Sequence, residues 1–295
     1  MKTVKNIDNL LTKRVSFIIP TKNRVKYFKK ALKIYRSLRK KGDELVVIDG
    51  NSSDQTIKVA KRSKLIDIFL SEPDLNNVHA TNKGLLLARG KYAVILPDDD
   101  TIFSQGLEKA VETMEKHQEI DVLVCGGIVK YEGKRALHYN YVGPGQNYGK
   151  SVLDVFIHGA CGLGFLIRKS SLAKSNLFPN TPIADLAFMV NCIKTGLNIK
   201  FCRIKMYQAT IYKHSIIISQ KDSVQKEVKK LTIENTSTWF YYKRRFKDLI
   251  WSYTRYKPVL ILVTLIADLL HTIRDRKNYF VPKKRVRYLW DGGFS

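Results

Sequence analysis

Acidic residues are scarce in this chain. Against 52 Lys and Arg stand only 26 Asp and Glu, so the 295 residues carry a formal net charge of +26. Such an imbalance is unusual for a cytosolic metabolic enzyme and favours polyanionic partners: nucleic acid, an anionic membrane surface or phosphorylated substrates. Cysteine is scarce too. Cys125, Cys161, Cys192 and Cys202 are scattered, with no Cys-x-x-Cys pair, and read as reduced, mostly buried thiols of a cytoplasmic protein. Long apolar runs are missing. The longest, 258–270, is interrupted by Thr264 and Asp268 and falls short of the roughly 20 residues that cross a bilayer. No membrane span is expected, nor a signal peptide, because the first residues alternate Lys, Asn and Asp with isolated apolar side chains. Internal repeats and low-complexity segments are lacking as well.

What is present is alternation of strand and helix signals. Residues 15–20 form a short β-branched apolar run ending in the polar turn Thr21-Lys22-Asn23-Arg24, after which Val25, Phe28, Ala31, Leu32, Tyr35 and Leu38 recur at helical spacing. Residues 45–49 predict a second strand, with Asp54 placed to cap the next helix. A third strand is expected over 65–70, a helix over 78–88 ended by Gly90, a strand over 91–96, a helix over 104–117 and a strand over 121–125. Looser hairpins or a lid are expected after Gly126, where Tyr131, Tyr139, Tyr141 and Tyr148 crowd together. Beyond them come a strand over 162–168, a helix over 185–194 stopped by Gly196, and two strands over 199–204 and 206–212. Such alternation implies right-handed crossovers and a mainly parallel sheet in an α/β domain with flanking helices.

The segment Ala93-Val-Ile-Leu-Pro-Asp-Asp-Asp100 is the most informative. A buried strand delivers three carboxylates to its carboxyl end, where open α/β sheets place their ligand crevice. Three adjacent acids repel one another unless a cation lies between them, and hard divalent cations prefer oxygen ligands. The plainer alternative is a solvated acidic turn capping the helix near Ser104. Asp49 poses a similar choice. It can accept a hydrogen bond from a base N–H, as uracil offers, or simply form the turn with Gly50.

Taken together, these turns resemble a known family. Val15-Ser-Phe-Ile-Ile-Pro-Thr-Lys-Asn-Arg24 resembles the opening strand of family-2 glycosyltransferases with the GT-A fold. Val46-Val-Ile-Asp-Gly-Asn-Ser-Ser-Asp-Gln-Thr56 is similar to their second strand and turn. Ser71-Glu-Pro-Asp74, Ala80-Thr-Asn-Lys-Gly84 and Ala88-Arg-Gly-Lys-Tyr92 resemble the approach to the metal motif in the bacterial polysaccharide branch. Asp98, Asp99 and Asp100 fall where the family has Asp-x-Asp. Ala184-Asp-Leu-Ala-Phe188 with Lys194-Thr-Gly196 resembles the helix of its catalytic base. The resemblance covers roughly residues 13–215.

It implies a GT-A, Rossmann-like domain over 1–215 and an inverting transferase that uses a nucleotide sugar, most often a uridine diphosphate sugar. Asp49 would read the base, while Pro20, Thr21, Asn23 and Arg24, with Asn82 and Lys83, would line the nucleotide site. Asp98 would contact the ribose or the metal shell, and Asp98, Asp99 and Asp100 would hold Mn²⁺ or Mg²⁺ bridging the diphosphate. His214 matches a position where relatives sometimes place a further metal ligand or phosphate contact; a surface histidine is the plainer alternative. Asp185 would be the general base that deprotonates the acceptor hydroxyl; the plainer alternative is a helix cap. Two departures stand out. Pro97 occupies the first position of the family's Asp-x-Asp-Asp under one alignment, and Ala184 replaces the Glu of Glu-Asp. Which two of the three acids bind metal stays open.

Beyond about residue 216 the character changes to a basic, mostly helical extension over 216–295. Val224, Val228, Leu231, Asn235, Trp239, Tyr242 and Phe246 recur as one helical stripe among many lysines and arginines. Trp239, Tyr241, Tyr242, Phe246, Trp251 and Tyr253 mixed with basic residues suit an anionic membrane interface, as for an enzyme with a lipid-linked glycan acceptor at the inner face of the cell membrane. The same stripe also suits packing on the catalytic domain or on a second copy in a homo-oligomer. A competing reading is a basic membrane- or nucleic-acid-binding protein that keeps the fold without catalysis; no nucleic-acid motif accompanies the charge.

Overall fold

The computed structural model describes residues 13–133, 137–140, 148–149, 152–158, 162–213 and 215–242. In chain order the elements are β1 (Lys13–Thr21), α1 (Val25–Leu38), β2 (Glu44–Asp49), α2 (Thr56–Arg62), β3 (Ile68–Ser71), α3 (Asn77–Leu87) and β4 (Gly90–Ile95). Next come β5 (Thr101–Ile102), α4 (Ser104–Lys116), β6 (Val122–Tyr131), β7 (Leu137–Asn140), β8 (Tyr148–Gly149) and α5 (Val152–His158). A 3₁₀ turn, Gly162–Gly164, leads into β9 (Phe165–Arg168), followed by α6 (Ala184–Lys194), β10 (Ile199–Ile211), α7 (Ile216–Ser219) and α8 (Lys221–Asn235).

One sheet runs in the order β3-β2-β1-β4-β9-β6-β10-β5, with β7 on β6 and β8 on β10. Strands β3, β2, β1 and β4 are parallel, joined by helical crossovers. The sheet is mixed rather than uniformly parallel, because β9 runs antiparallel to both β4 and β6. The period-2 alternation of each strand sorts its side chains into two cores. Val15, Phe17, Ile19, Val47 and Val94 meet Phe28, Leu32 and Tyr35 of α1 and Met114 of α4. On the other face Ile18, Val46, Ile48 and Ile95 meet Leu85 of α3 and Phe188 of α6. Burial on both faces is why these strands read as unbroken apolar runs.

Several expectations change. Helix α3 stops at Leu87, and Gly90 belongs to β4 instead of ending the helix. A side chain at Gly90 would collide with the backbone and hydroxyl of Ser16, so close strand approach is what requires glycine. After Gly126, β6 continues to Tyr131, paired in parallel with β10, and β7 returns antiparallel on β6 as an expected hairpin; Tyr141 lies outside the described residues. The two strands expected over 199–212 are one, β10, with register shifts between Cys202, Lys205 and Tyr207. Cys125, Cys192 and Cys202 are free and buried; Cys161 lies outside the described residues.

Nor is the C-terminal stripe one helix. Helix α8 ends at Asn235, where Thr236 leaves helical geometry, and a second helical stretch occupies 238–242. Val224, Val228, Leu231 and Phe240 pack on the second core, so that part of the stripe is covered by the chain itself. Ile216, Ile217, Trp239 and Tyr242 remain exposed. Phe246, Trp251 and Tyr253 lie outside the described residues. No helix among the described residues is long and apolar enough to cross a membrane.

Gly106, in the first turn of α4, lies against the backbone of Lys205 and Met206 in β10. A methyl group there meets main-chain atoms that cannot rotate away. Gly106→Ala is expected to lose about 1–3 kcal/mol in urea denaturation. An unchanged midpoint would count against this contact.

Candidate functional site

The carboxyl ends of β1, β2 and β4 lie side by side, since Thr21 pairs with Asp49 and Ile18 with Ile95. Two turns there are stitched together. The Gly50 N–H donates to the Thr21 carbonyl (2.9 Å), and the Asn23 N–H donates to Ser52 Oγ (2.8 Å). Asn23 returns the bond by accepting the Ser53 N–H at 2.7 Å. Asn23 and Asn51 adopt left-handed backbone angles, φ 53° and 61°, which asparagine tolerates better than most residues. Asp54 accepts N–H bonds from both Val25 (3.0 Å) and Thr56 (2.8 Å), so one carboxylate caps the starts of α1 and α2 together. Burial alone would raise its pKa, but these hydrogen bonds outweigh it and the value is lowered.

Asp49 is fully buried. Its carboxylate accepts from the Ser52 N–H, the Ser52 hydroxyl and the Ser71 hydroxyl. Three of the roughly four acceptor sites of a carboxylate are used, and through them Asp49 holds the turn. Pro20 is buried beside it, in register with Ile48. Asn82 and Lys83, expected at the nucleotide, make loop contacts in this structure. The Asn82 amide both donates to the Phe178 carbonyl (2.8 Å) and accepts the Phe178 N–H (3.0 Å). Lys83 Nζ bonds Glu72 at 2.6 Å and the Pro73 carbonyl at 3.1 Å. Both side chains brace loops.

The acid turn after β4 is held from three directions. Thr21 Oγ1 donates to Asp98 Oδ2 at 2.8 Å. Arg24 lies between the next two carboxylates, with Nε 3.3 Å from Asp98 Oδ1 and Nη2 2.6 Å from Asp99 Oδ2. Asp100 turns to the sheet, where its Oδ1 accepts the Thr210 N–H of β10 at 2.8 Å. Burial pushes the Asp98 carboxyl up to about 6, against the opposing pull of Arg24 and Thr21. Asp100 is pushed up to about 7, by burial first and then by the charge of Asp99.

The donor set suits a hard cation. Asp98 Oδ1 and Asp99 Oδ2 already face one positive group, and Mg²⁺-type ions are commonly held by one or two carboxylates plus substrate phosphates. Among the described residues no group of three or more His, Cys, Asp or Glu is placed to hold a metal ion. His214 lies outside the described residues.

Asp185 stands in the first turn of α6 and accepts the Gly162 N–H at 2.8 Å. The Gly162–Gly164 turn packs on β4, β6 and β10 just before β9, which runs back along β4. That topology brings Asp185 to the same sheet edge as the acid turn. Burial raises its pKa above the ordinary carboxylate value, with the Gly162 N–H working the other way. Partners not foreseen in the sequence are Tyr27, whose ring lies 4.5 Å from the Arg24 guanidinium, and Tyr212, edge-on to Tyr27 at 5.9 Å. The spacing of Arg24 and Tyr27 on one helix start was the available signal for the first. Nothing local marks Gly162.

Residues 16–175 match the sequence pattern of the family described as Glycosyl transferase family 2. Among curated proteins, the chain is similar to the GalNAc(5)-diNAcBac-PP-undecaprenol beta-1,3-glucosyltransferase of Campylobacter jejuni. The two are 29% identical over 171 residues, 56% of this chain and 54% of that one. The chain spans about half the length of the curated relatives it matches. Its fold is similar to that of S. aureus TarS 1–349 in complex with UDP-GlcNAc, with a TM-score of 0.55 and 22% identity, covering 67% of this chain and 58% of that one. It is also similar in fold to the mannosyltransferase PcManGT of Pyrobaculum calidifontis in complex with GDP-Man and Mn²⁺, with a TM-score of 0.53, 14% identity and 92% of each chain covered.

The raised acids set a pH dependence. Their folded pKa values exceed the ordinary value of 3.8, so the folded state binds more protons than the unfolded chain between the two. Stability therefore falls as pH rises through that window, and the cost is fully present above about pH 7. Asp100→Asn keeps an acceptor for the Thr210 N–H and removes the charge. It is expected to gain on the order of 2 kcal/mol near pH 8 and nothing near pH 4, measured by urea denaturation across pH. A gain that does not vary with pH would refute the burial argument.

Proposed function

The chain belongs to glycosyl transferase family 2, and from that premise we propose that it moves a sugar from a nucleotide diphosphate sugar to a hydroxyl of a glycan acceptor. A uridine diphosphate sugar is the preferred donor class and a lipid-linked glycan the preferred acceptor. The observation that carries this reading is the gathering of Arg24, Asp98, Asp99, Asp100 and Asp185 at one carboxyl edge of the sheet. The named activity of the C. jejuni relative and the UDP-GlcNAc bound to TarS support the choice of acceptor and donor class.

In this reading Thr21, Asn23, Arg24 and the turn held by Asp49 form the nucleotide side of the crevice. Asp98 and Asp99 would hold Mn²⁺ or Mg²⁺, with Asp100 behind them, bonded to Thr210 of β10, and the ion when bound would supply charge stabilisation to the leaving diphosphate. Asp185 removes the proton from the acceptor hydroxyl as its oxygen bonds to the anomeric carbon. The bond from that carbon to the diphosphate oxygen breaks, and the electron pair leaves with the nucleotide diphosphate. One displacement inverts the anomeric configuration. A raised pKa suits Asp185 to accept a proton near neutral pH, and the Gly162 N–H fixes its direction.

Attachment to an anionic membrane at the cytoplasmic face completes the proposal. It is supported by exposed Trp239 and Tyr242 beside Lys229, whose Nζ lies 5.6 Å from the Tyr242 ring, and by the net charge. The covered stripe of α8 gives no support to an oligomer formed through Val224, Val228 and Leu231.

Asp185→Asn and Asp99→Ala are each expected to lower transfer about 100-fold or more while far-UV circular dichroism stays unchanged. Full activity in both would overturn the assignments. Wild-type kcat is expected to fall as pH drops through the raised pKa of Asp185. Calorimetric titration with UDP and Mn²⁺ separates this reading from a fold kept without catalysis, for which no binding is expected. Failure to bind anionic liposomes at low salt would remove the membrane proposal alone.

A further inference from the structure

Arg24 occupies the place between Asp98 and Asp99 that a cation is wanted in. Its two nitrogens approach one oxygen of each acid, at 3.3 and 2.6 Å. The other Asp98 oxygen is taken by Thr21, so Asp98 Oδ1 is the oxygen left for a cation, and Arg24 has it. Without a positive group there, two adjacent carboxylates would face each other at a partly buried edge. We propose that Arg24 is a resident counter-ion that fills the cation position in the donor-free protein, yields it to a divalent ion, and passes to the diphosphate of the arriving donor. This inference rests on the metal reading above and adds an exchange to it.

The surroundings suit a side chain that moves. Arg24 is 31% exposed and, among the described residues, pairs with no carboxylate other than these two. Its guanidinium lies on the Tyr27 ring, which Tyr212 braces edge-on. The ring offers a contact that does not depend on the acids, and a planar, weakly hydrated guanidinium pairs as well with phosphate as with carboxylate. Lys30, whose Nζ is 3.4 Å from the Asp99 carbonyl, lies close to the same turn but pairs with neither of the two carboxylates.

The exchange has a consequence for binding order. Ion and guanidinium compete for the same oxygens, so the protein alone holds a divalent ion weakly. A nucleoside diphosphate that draws Arg24 away frees the acids, and the coupling is reciprocal.

Direct titration of free Mn²⁺ by electron paramagnetic resonance, with and without UDP, tests this without any turnover. Arg24→Gln is expected to bind Mn²⁺ alone about tenfold more tightly than wild type, roughly 1.4 kcal/mol, and to show a smaller gain on adding UDP. Arg24→Lys keeps a point charge without the fork and is expected to lie between; it decides the matter if the Gln variant fails to fold. If wild type binds Mn²⁺ with UDP but neither variant binds the bare ion more tightly, the exchange is overturned and the metal reading stands. If no protein binds Mn²⁺ even with UDP, both fall.

Discussion

Carboxylates crowded at one edge of the sheet are the constraint around which this structure is arranged. Each must find a donor, and each finds it on a different element. Asp54 takes the first N–H groups of two helices, Asp49 two serines from separate segments, Asp98 a threonine from β1, Asp100 an amide from β10 and Asp185 an amide from the turn before β9. Satisfying the acids is therefore the same act as aligning the strand ends. The turns are held by charge-assisted hydrogen bonds rather than by apolar packing, while the two cores below them supply the bulk of burial.

The same edge is where the charge of the molecule inverts. The chain as a whole carries a formal +26, yet this edge gathers acids whose pKa values rise because burial strips water from them and the cations in reach offset only part of that cost. For the proposed nucleotide-sugar donor, long-range attraction would come from the chain's excess of lysines and arginines. In the proposed reaction, local affinity at the acid turn would need a cation that travels with the donor or waits there.

Much of this was legible in the sequence. Strands β1, β2 and β4 announced themselves because burial on both faces leaves continuous apolar runs, and the acids sit where such strands end. What escaped is nonlocal. The antiparallel course of β9 depends on its two neighbours, not on its four residues. Gly90 resembles a helix stop until Ser16 is placed against it. Asn82 and Lys83 read as nucleotide contacts, and their bonds to Phe178 and Glu72 join residues too far apart for the sequence to show. Arg24 was visible as a turn residue, but its position between Asp98 and Asp99 joins residues 75 apart.

Strand β10 ties two distant-looking parts of the molecule into one piece. Thr210, near its end, anchors Asp100, and the exposed Ile216 and Ile217 begin α7 a few residues later. Six residues of extended chain span at most about 20 Å, so the acid turn and that apolar tip have a fixed maximum separation. With the proposed lipid-linked acceptor, and with this tip resting on the membrane, the chain would set a ruler. The length of glycan between the lipid and the reacting hydroxyl would be limited by geometry, before any pocket recognises its sugars.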